Sequence, residues 1–166
     1  MVFPKTKNHN SKEKAVENIL YEKYNSYYRM AMSYVHNESD AMDIVQEGAY
    51  KAIKNSNSLK EPAFAGTWIY RIMLNEVYRF LKKNKGISFL EEVTEISYED
   101  KYENIDLKQA LDNMSVKDKA VIELKYFEDL KLEEIADILE ENISTVKSRL
   151  YRGLKKLRIQ LQEDNK

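Results

Sequence analysis

Residues Asn142–Arg158 read NISTVKSRLYRGLKKLR. Val146, Leu150, Leu154, Leu157 and Leu161 recur at intervals of three or four, the spacing that puts side chains on one face of a helix. Thr145, Lys147, Ser148, Arg149, Arg152, Lys155, Lys156 and Arg158 fall outside that stripe. From Asn142 to Gln162 there are six Lys or Arg and no Asp or Glu. A solvated helix gains more from mixed charges at i, i+4, so one-sided segregation points to a polyanionic partner, beside the simpler reading of an amphipathic helix in a bundle.

The residues just upstream favour the first reading. Leu130–Leu139 carries Leu132, Ile135, Ala136 and Leu139 on one face, Glu140–Glu141 makes a tight connection, and Asn142 is suited to cap the basic helix. A short helix, a tight turn and a basic helix form a helix-turn-helix, whose second helix presents its first residues to base edges in the major groove.

The composition bounds the rest. The chain has 166 residues, 43% hydrophobic and 33% charged, with only four Gly and two Pro, which fits an all-α protein of one medium or two small domains. Without cysteine it has neither disulfides nor thiolate metal sites, and His9 and His36 stand alone, so no metal or cofactor is expected. No run approaches eighteen apolar residues and Met1–Lys14 is too polar for a signal peptide, so neither direct membrane insertion nor export is expected. The net charge of −1 argues against a protein that simply coats DNA: the charges are sorted along the chain instead.

Residues 1–12 lack apolar periodicity and read as frayed. Ala15–Val35 fits a helix of about five turns with Val16, Ile19, Leu20, Tyr24, Tyr27, Ala31, Tyr34 and Val35 inward. Ser39 is placed to cap a second helix, in which Ala41, Ile44, Val45, Gly48, Ala49, Ala52 and Ile53 share a face small enough for close packing, while Asp40, Asp43, Gln46, Glu47 and Tyr50 lie opposite. A polar loop then leads into a third helix ending near Lys83, with Phe64, Trp68, Ile69, Ile72, Met73, Val77 and Phe80 as its apolar set. Arg71, Asn75, Tyr78 and Lys82 form an outward stripe. Five basic residues against one acid between Arg71 and Lys85, next to aromatic rings, suit unpaired nucleic acid, though a solvated face would read the same.

From Gly86 the segment turns acidic, with Glu91, Glu92, Glu95, Glu99, Asp100 and Glu103, and reads as a linker. The organisation expected is two small helical domains, 13–84 and 106–162, joined by an acidic linker at 85–105. In the second, Leu107, Ala110, Leu111 and Met114 mark one short helix. Ser115-Val-Lys-Asp118 resembles a capping box opening another, with Val116, Ala120, Leu124 and Phe127 inward.

Asp40-Ala-Met-Asp-Ile-Val-Gln-Glu47, Thr67-Trp-Ile-Tyr-Arg-Ile72 and Thr145-Val-Lys-Ser-Arg-Leu150, in that order and spacing, resemble the bacterial extracytoplasmic-function sigma factors, small two-domain sigma factors that keep only regions 2 and 4 of the sigma-70 family. The resemblance covers residues 17–160. It implies a non-catalytic, cytoplasmic transcription initiation factor whose partners are RNA polymerase core, promoter DNA and an anti-sigma factor, in a stress or envelope response. Asp40, Asp43, Gln46 and Glu47 would dock on the Arg-rich clamp coiled coil of the largest catalytic subunit. Trp68, Arg71, Asn75, Tyr78, Arg79 and Lys82, with the loop Asn57–Gly66, would open the minus-ten element and hold a flipped nucleotide, Trp68 serving equally well as core anchor or stacking platform. Ser144, Thr145, Lys147, Ser148, Arg149 and Arg152 would read the minus-thirty-five element, with Arg149 or Arg152 bridging a guanine and Lys155 and Lys156 attracting phosphates.

This chain departs from the family pattern at four places. Met42 replaces a second acid, Lys131 a Ser or Thr cap, Glu140 the turn glycine, and Glu141 a buried aliphatic residue, which leaves Ile143 to fill the gap. The alternative function is a stand-alone helix-turn-helix regulator. That reading lacks an evident dimerisation seam and gives the Asp40–Glu47 face no role. An enzyme lacks support in a phosphate loop, clustered His or an activated nucleophile.

Overall fold

The computed structural model describes residues 11–85 and 107–163. The chain divides into two compact units, Met1–Lys85 and Gly86–Lys166. Among the described residues there are seven α-helices and no strands: α1 Ser11–Val35, α2 Glu38–Lys54 and α3 Ala65–Lys85 in the first unit, then α4 Leu107–Asp112, α5 Val116–Tyr126, α6 Leu132–Leu139 and α7 Ile143–Glu163 in the second. The acidic segment expected to link them lies outside the described residues.

In the first unit each helix packs on the other two. α1 begins at Ser11, a turn before the apolar pattern does, and ends where His36 takes a left-handed φ of 54°. α2 starts earlier than expected, because its cap is Asn37 and not Ser39: the Asn37 Oδ1 accepts from the Asp40 backbone N–H at 2.9 Å. Ser39 lies inside the first turn.

The small face of α2 does allow close approach. A Cβ added at Gly48 would collide with the Sδ of Met73 on α3. Tyr27 of α1 and Tyr70 of α3, both fully buried, meet edge to edge-face at 4.9 Å and 75°, a geometry worth about 0.5–1.5 kcal/mol beyond area burial. The loop before α3 forms two 3-10 turns, Ser56–Ser58 and Pro62–Phe64, pinned by buried Leu59 and Ala65. Leu59 takes the core place expected of Phe64, which sits in the turn before the helix and is 59% exposed. Trp68, Ile72 and Phe80 are half-buried.

In the second unit α7 packs on α4, α5 and α6. Its inward stripe holds: Val146 is buried, and Leu150, Leu154 and Leu157 join Ala110, Leu111, Met114 and Ile122, whereas Leu161 in the last turns is exposed. At Gly153 an added Cβ would lie 3.1 Å from two Ile122 side-chain atoms, so the absence of a side chain lets α7 approach α5. Phe127, expected inward, is exposed because α5 has already ended there and the chain reverses through Asp129 at φ 53°. Val121 and Ile122 supply the core instead.

Lys131 does stand at the N-cap of α6. Glu134 supplies half a capping box by accepting from the Lys131 N–H at 2.9 Å, and an ammonium has no acceptor with which to return the bond. At the other end Glu140 occupies the left-handed region, φ 55° and ψ 39°. Both residues are poor choices locally, so each is a site for gain. Lys131→Ser and Glu140→Gly are each expected to stabilise the second unit by about 1 kcal/mol, read as a higher melting temperature in circular dichroism.

Candidate polymerase and nucleic-acid interfaces

Three helix faces hold the residues singled out above. On α2, Asp43, Gln46 and Glu47 are exposed and Asp40 is half-buried, with Glu38 and Asp40 in the first turn where the helix dipole favours acids. Met42 and Tyr50, 44% and 58% exposed, border the same acids. The basic residues of α2 come after them. Lys51 turns toward α3 and bonds the buried Glu76, reaching Glu47 at 3.7 Å, while Lys54 lies over the Tyr50 ring at 5.7 Å. The first half of α2 carries acids and no base, so its outer face is net negative.

On α3, Asn75, Arg79 and Lys82 are exposed, while Trp68, Arg71 and Tyr78 are half-buried. Arg79, 68% exposed, stands 3.7 Å from Glu76. Tyr70 is wholly interior and braces α3 on α1. The outward stripe is thus narrower than the spacing suggested, with Arg71 and Tyr78 at its edge.

On α7 the expected DNA residues separate into two rows. Ser144, Ser148 and Lys155 share with Tyr151 the spacing i, i+4, i+7, i+11; all are exposed, as is Lys147 beside them. Tyr151, 74% exposed, was not among the expected contacts, although its spacing from Ser144 and Ser148 marks it out. Thr145, Arg149 and Arg152, at i, i+4, i+7, form the other row, whose two arginines reach Asp118 on α5. Thr145 donates both its N–H and its hydroxyl to Asn142 Oδ1, at 2.8 and 2.9 Å, and so completes the helix cap.

Arg149 is inside. Its Nε and Nη2 donate to the two oxygens of Glu141 at 2.7 and 2.9 Å, and its Nη1 donates to Asp118 Oδ1 at 3.1 Å. Arg152 grips the same Asp118 with Nε and Nη2 at 2.8 and 3.0 Å, and Lys117 reaches Glu141 at 3.2 Å. The gap expected at Glu141 is therefore filled by an ion pair, while Ile143 is only half-buried. The second carboxylate could not be found from the local pattern: Asp118 lies 31 residues from Arg149 and looked like a capping residue.

Burial alone would raise the Asp118 carboxyl, but the hydrogen bonds and charges of Arg152 and Arg149 outweigh it and hold the group below its ordinary value of 3.8. Glu141 follows the same balance, with burial opposed by Arg149 and then Lys117, and lies below 4.5. Arg149 is raised, first by its bond to Glu141, against desolvation.

These geometries fit the comparisons with known proteins. The family model "Sigma-70 region 2" matches residues 20–87 and "Sigma-70, region 4" matches residues 105–157. The chain is 44% identical over 144 residues to the RNA polymerase sigma factor SigV of Bacillus subtilis, covering 84% of this chain and 86% of that one. It is 30% identical over 155 residues to the ECF RNA polymerase sigma factor SigW of the same organism, covering 82% and 83%. In fold it resembles the sigma factor RpoE, solved with the anti-sigma factor NepR from Bartonella quintana, with a TM-score of 0.67 at 23% identity over 89% of this chain and 97% of that one. CnrH, solved with the cytosolic domain of CnrY, gives 0.67 at 19% identity over 93% and 99%.

A helical unit with an acidic helix face, followed by a helix-turn-helix unit, defines a sigma factor of the sigma-70 type. The chain belongs to the extracytoplasmic-function sigma factors, initiation factors that bind RNA polymerase core and direct transcription from specific promoters. Members of the family are not enzymes. No described helix is long and apolar enough to cross a membrane.

The ion network carries a pH signature. Carboxyls held below their ordinary values contribute stability that is complete above the unfolded values of 3.8 and 4.5 and is lost as pH falls through the lower folded values. Melting temperatures of the full chain should hold steady down to about pH 5 and drop in stronger acid. Asp118→Asn should lower the neutral plateau and flatten the acid limb.

Proposed function

We propose that the acidic half of α2 is the polymerase-docking face, contacting the Arg-rich clamp coiled coil of the largest catalytic subunit. The observation that carries this is the segregation on α2: Asp43 and Glu47 are exposed and Asp40 is near them, while the basic residues of the helix, Lys51 and Lys54, come only after them. Arg guanidinium groups pair with exposed carboxylates through short, charge-assisted bonds, and Gln46 adds a neutral partner. Met42 and Tyr50 supply apolar area beside the charges, the mixture that protein interfaces favour.

The α3 face serves the minus-ten element. Asn75 is the group able to read a base edge, Arg79 and Lys82 hold phosphates, and Arg71 and Tyr78 line the margin. Trp68, half-buried, and the exposed Phe64 beside the preceding loop offer aromatic surface for an unstacked base. On α7, Ser144, Lys147, Ser148 and Tyr151 face the major groove of the minus-thirty-five element. Thr145 reaches it from the cap, Arg152 from the flank, and Lys155 and Lys156 add phosphate attraction.

The protein acts in the cytoplasm, in a stress or envelope response, under an anti-sigma factor that covers the docking face. The structural likeness to RpoE, solved with the anti-sigma factor NepR, supports this control.

Run-off transcription with purified core polymerase over a bank of promoter fragments tests the docking face. Wild type should give discrete transcripts, and Asp43→Arg/Glu47→Arg should reduce them at least about a hundredfold, since like charges set against each other across an interface cost several kcal/mol. Tight DNA binding without polymerase, no transcripts, and indifference to the reversal would instead identify a free-standing regulator.

A further inference from the structure

Asp118 is buried, and Glu141 and Arg149 are half-buried against it, with side-chain exposures of 3%, 13% and 13%. Desolvating such charges largely offsets their attraction, so net stabilisation alone is a weak reason for the cluster. Direction is a stronger one. A guanidinium is a rigid planar fork, and here Nε, Nη1 and Nη2 are all engaged with carboxylates. One side chain thereby ties α7 both to α5, through Asp118, and to Glu141 in the turn from α6.

Glu141 directly precedes the cap Asn142 of the same helix. The entry of α7 and its flank eight residues on are thus fixed against one another and against α5. Bridging a guanine would require Arg149 to release these bonds, leaving Asp118 to Arg152 and Glu141 to Lys117, a cost that offsets much of what one base contact returns.

We propose that Arg149 is a positioning residue for promoter recognition: held by Glu141 and Asp118, it sets the tilt and advance of α7 so that Ser144, Lys147, Ser148 and Tyr151 meet the major groove in register. This rests on α7 being the reader of the minus-thirty-five element. Specificity there then depends on charges that do not touch DNA.

The test uses holoenzyme reconstituted from the full chain and core polymerase, with promoters randomised over the minus-thirty-five element and an unchanged minus-ten element. Arg149→Met should lower discrimination about fivefold or more, spread over several base pairs. Glu141→Gln alters no proposed DNA contact and should broaden the profile in the same way. Glu141→Leu/Arg149→Met rebuilds the contact from apolar groups and should bring discrimination back to within about twofold of wild type, because a buried pair replaced by packed apolar residues is commonly tolerated. Circular dichroism confirms that each variant remains helical.

The proposal is overturned if Arg149→Met leaves the profile unchanged, or if the single and double variants lose the same amount at one base pair, which identifies Arg149 as a direct reader. It falls with its premise if wild type shows no preference at the minus-thirty-five element. Wild-type discrimination that the double variant fails to recover refutes the positioning role alone.

Discussion

The guanidinium of Arg149 bridges two carboxylates, Asp118 and Glu141, which Arg152 and Lys117 also hold, and this network joins three elements of the second unit. Asp118 comes from the first turn of α5, Glu141 from the turn between α6 and α7, and Arg149 from the middle of α7. Removing Arg149 would leave Asp118 to Arg152 and Glu141 to Lys117, each charge with less compensation in a partly desolvated site. The turn itself is locally unfavourable, with Glu140 left-handed and a lysine at the N-cap of α6, so tertiary pairing compensates for what the local sequence lacks. The apolar contact of Gly153 with Ile122 lets the two helices come close enough for the arginine to reach.

In the first unit Glu76 has the corresponding role. Buried on α3, it draws Lys51 across from α2 and approaches Arg79 of its own helix. The pairing staples the two helices while Lys51 also stands 3.7 Å from Glu47 at the end of the acidic face. The near-neutral chain carries oppositely charged helix faces because its charges are sorted between helices.

Much of this was legible in the sequence. The 3.6-residue periodicity gave the helices and most of their inner faces, and the segregated charges of α2 and α7 gave the class of partner. Periodicity does not say where a helix stops, which is why Phe64 and Phe127, each just beyond a helix end, were expected inside and are exposed. A basic face also does not reveal which cations are already spoken for. Arg149 lies on the flank of α7 that meets α5, and only folding brings Asp118 to it. Tyr151 is the converse case: an aromatic that seemed neither core nor contact stands at the centre of the exposed row.

The central claim is that α2 faces polymerase while the outer row of α7 faces DNA, and site-specific photocrosslinking tests it most directly. A photoreactive phenylalanine analogue is placed at Gln46 or at Tyr151 of the full chain, and the promoter-bound holoenzyme is irradiated. The account predicts that the probe at Gln46 captures the largest polymerase subunit and the probe at Tyr151 captures duplex DNA in the minus-thirty-five region. Capture of DNA from Gln46, or of polymerase alone from Tyr151, would contradict it.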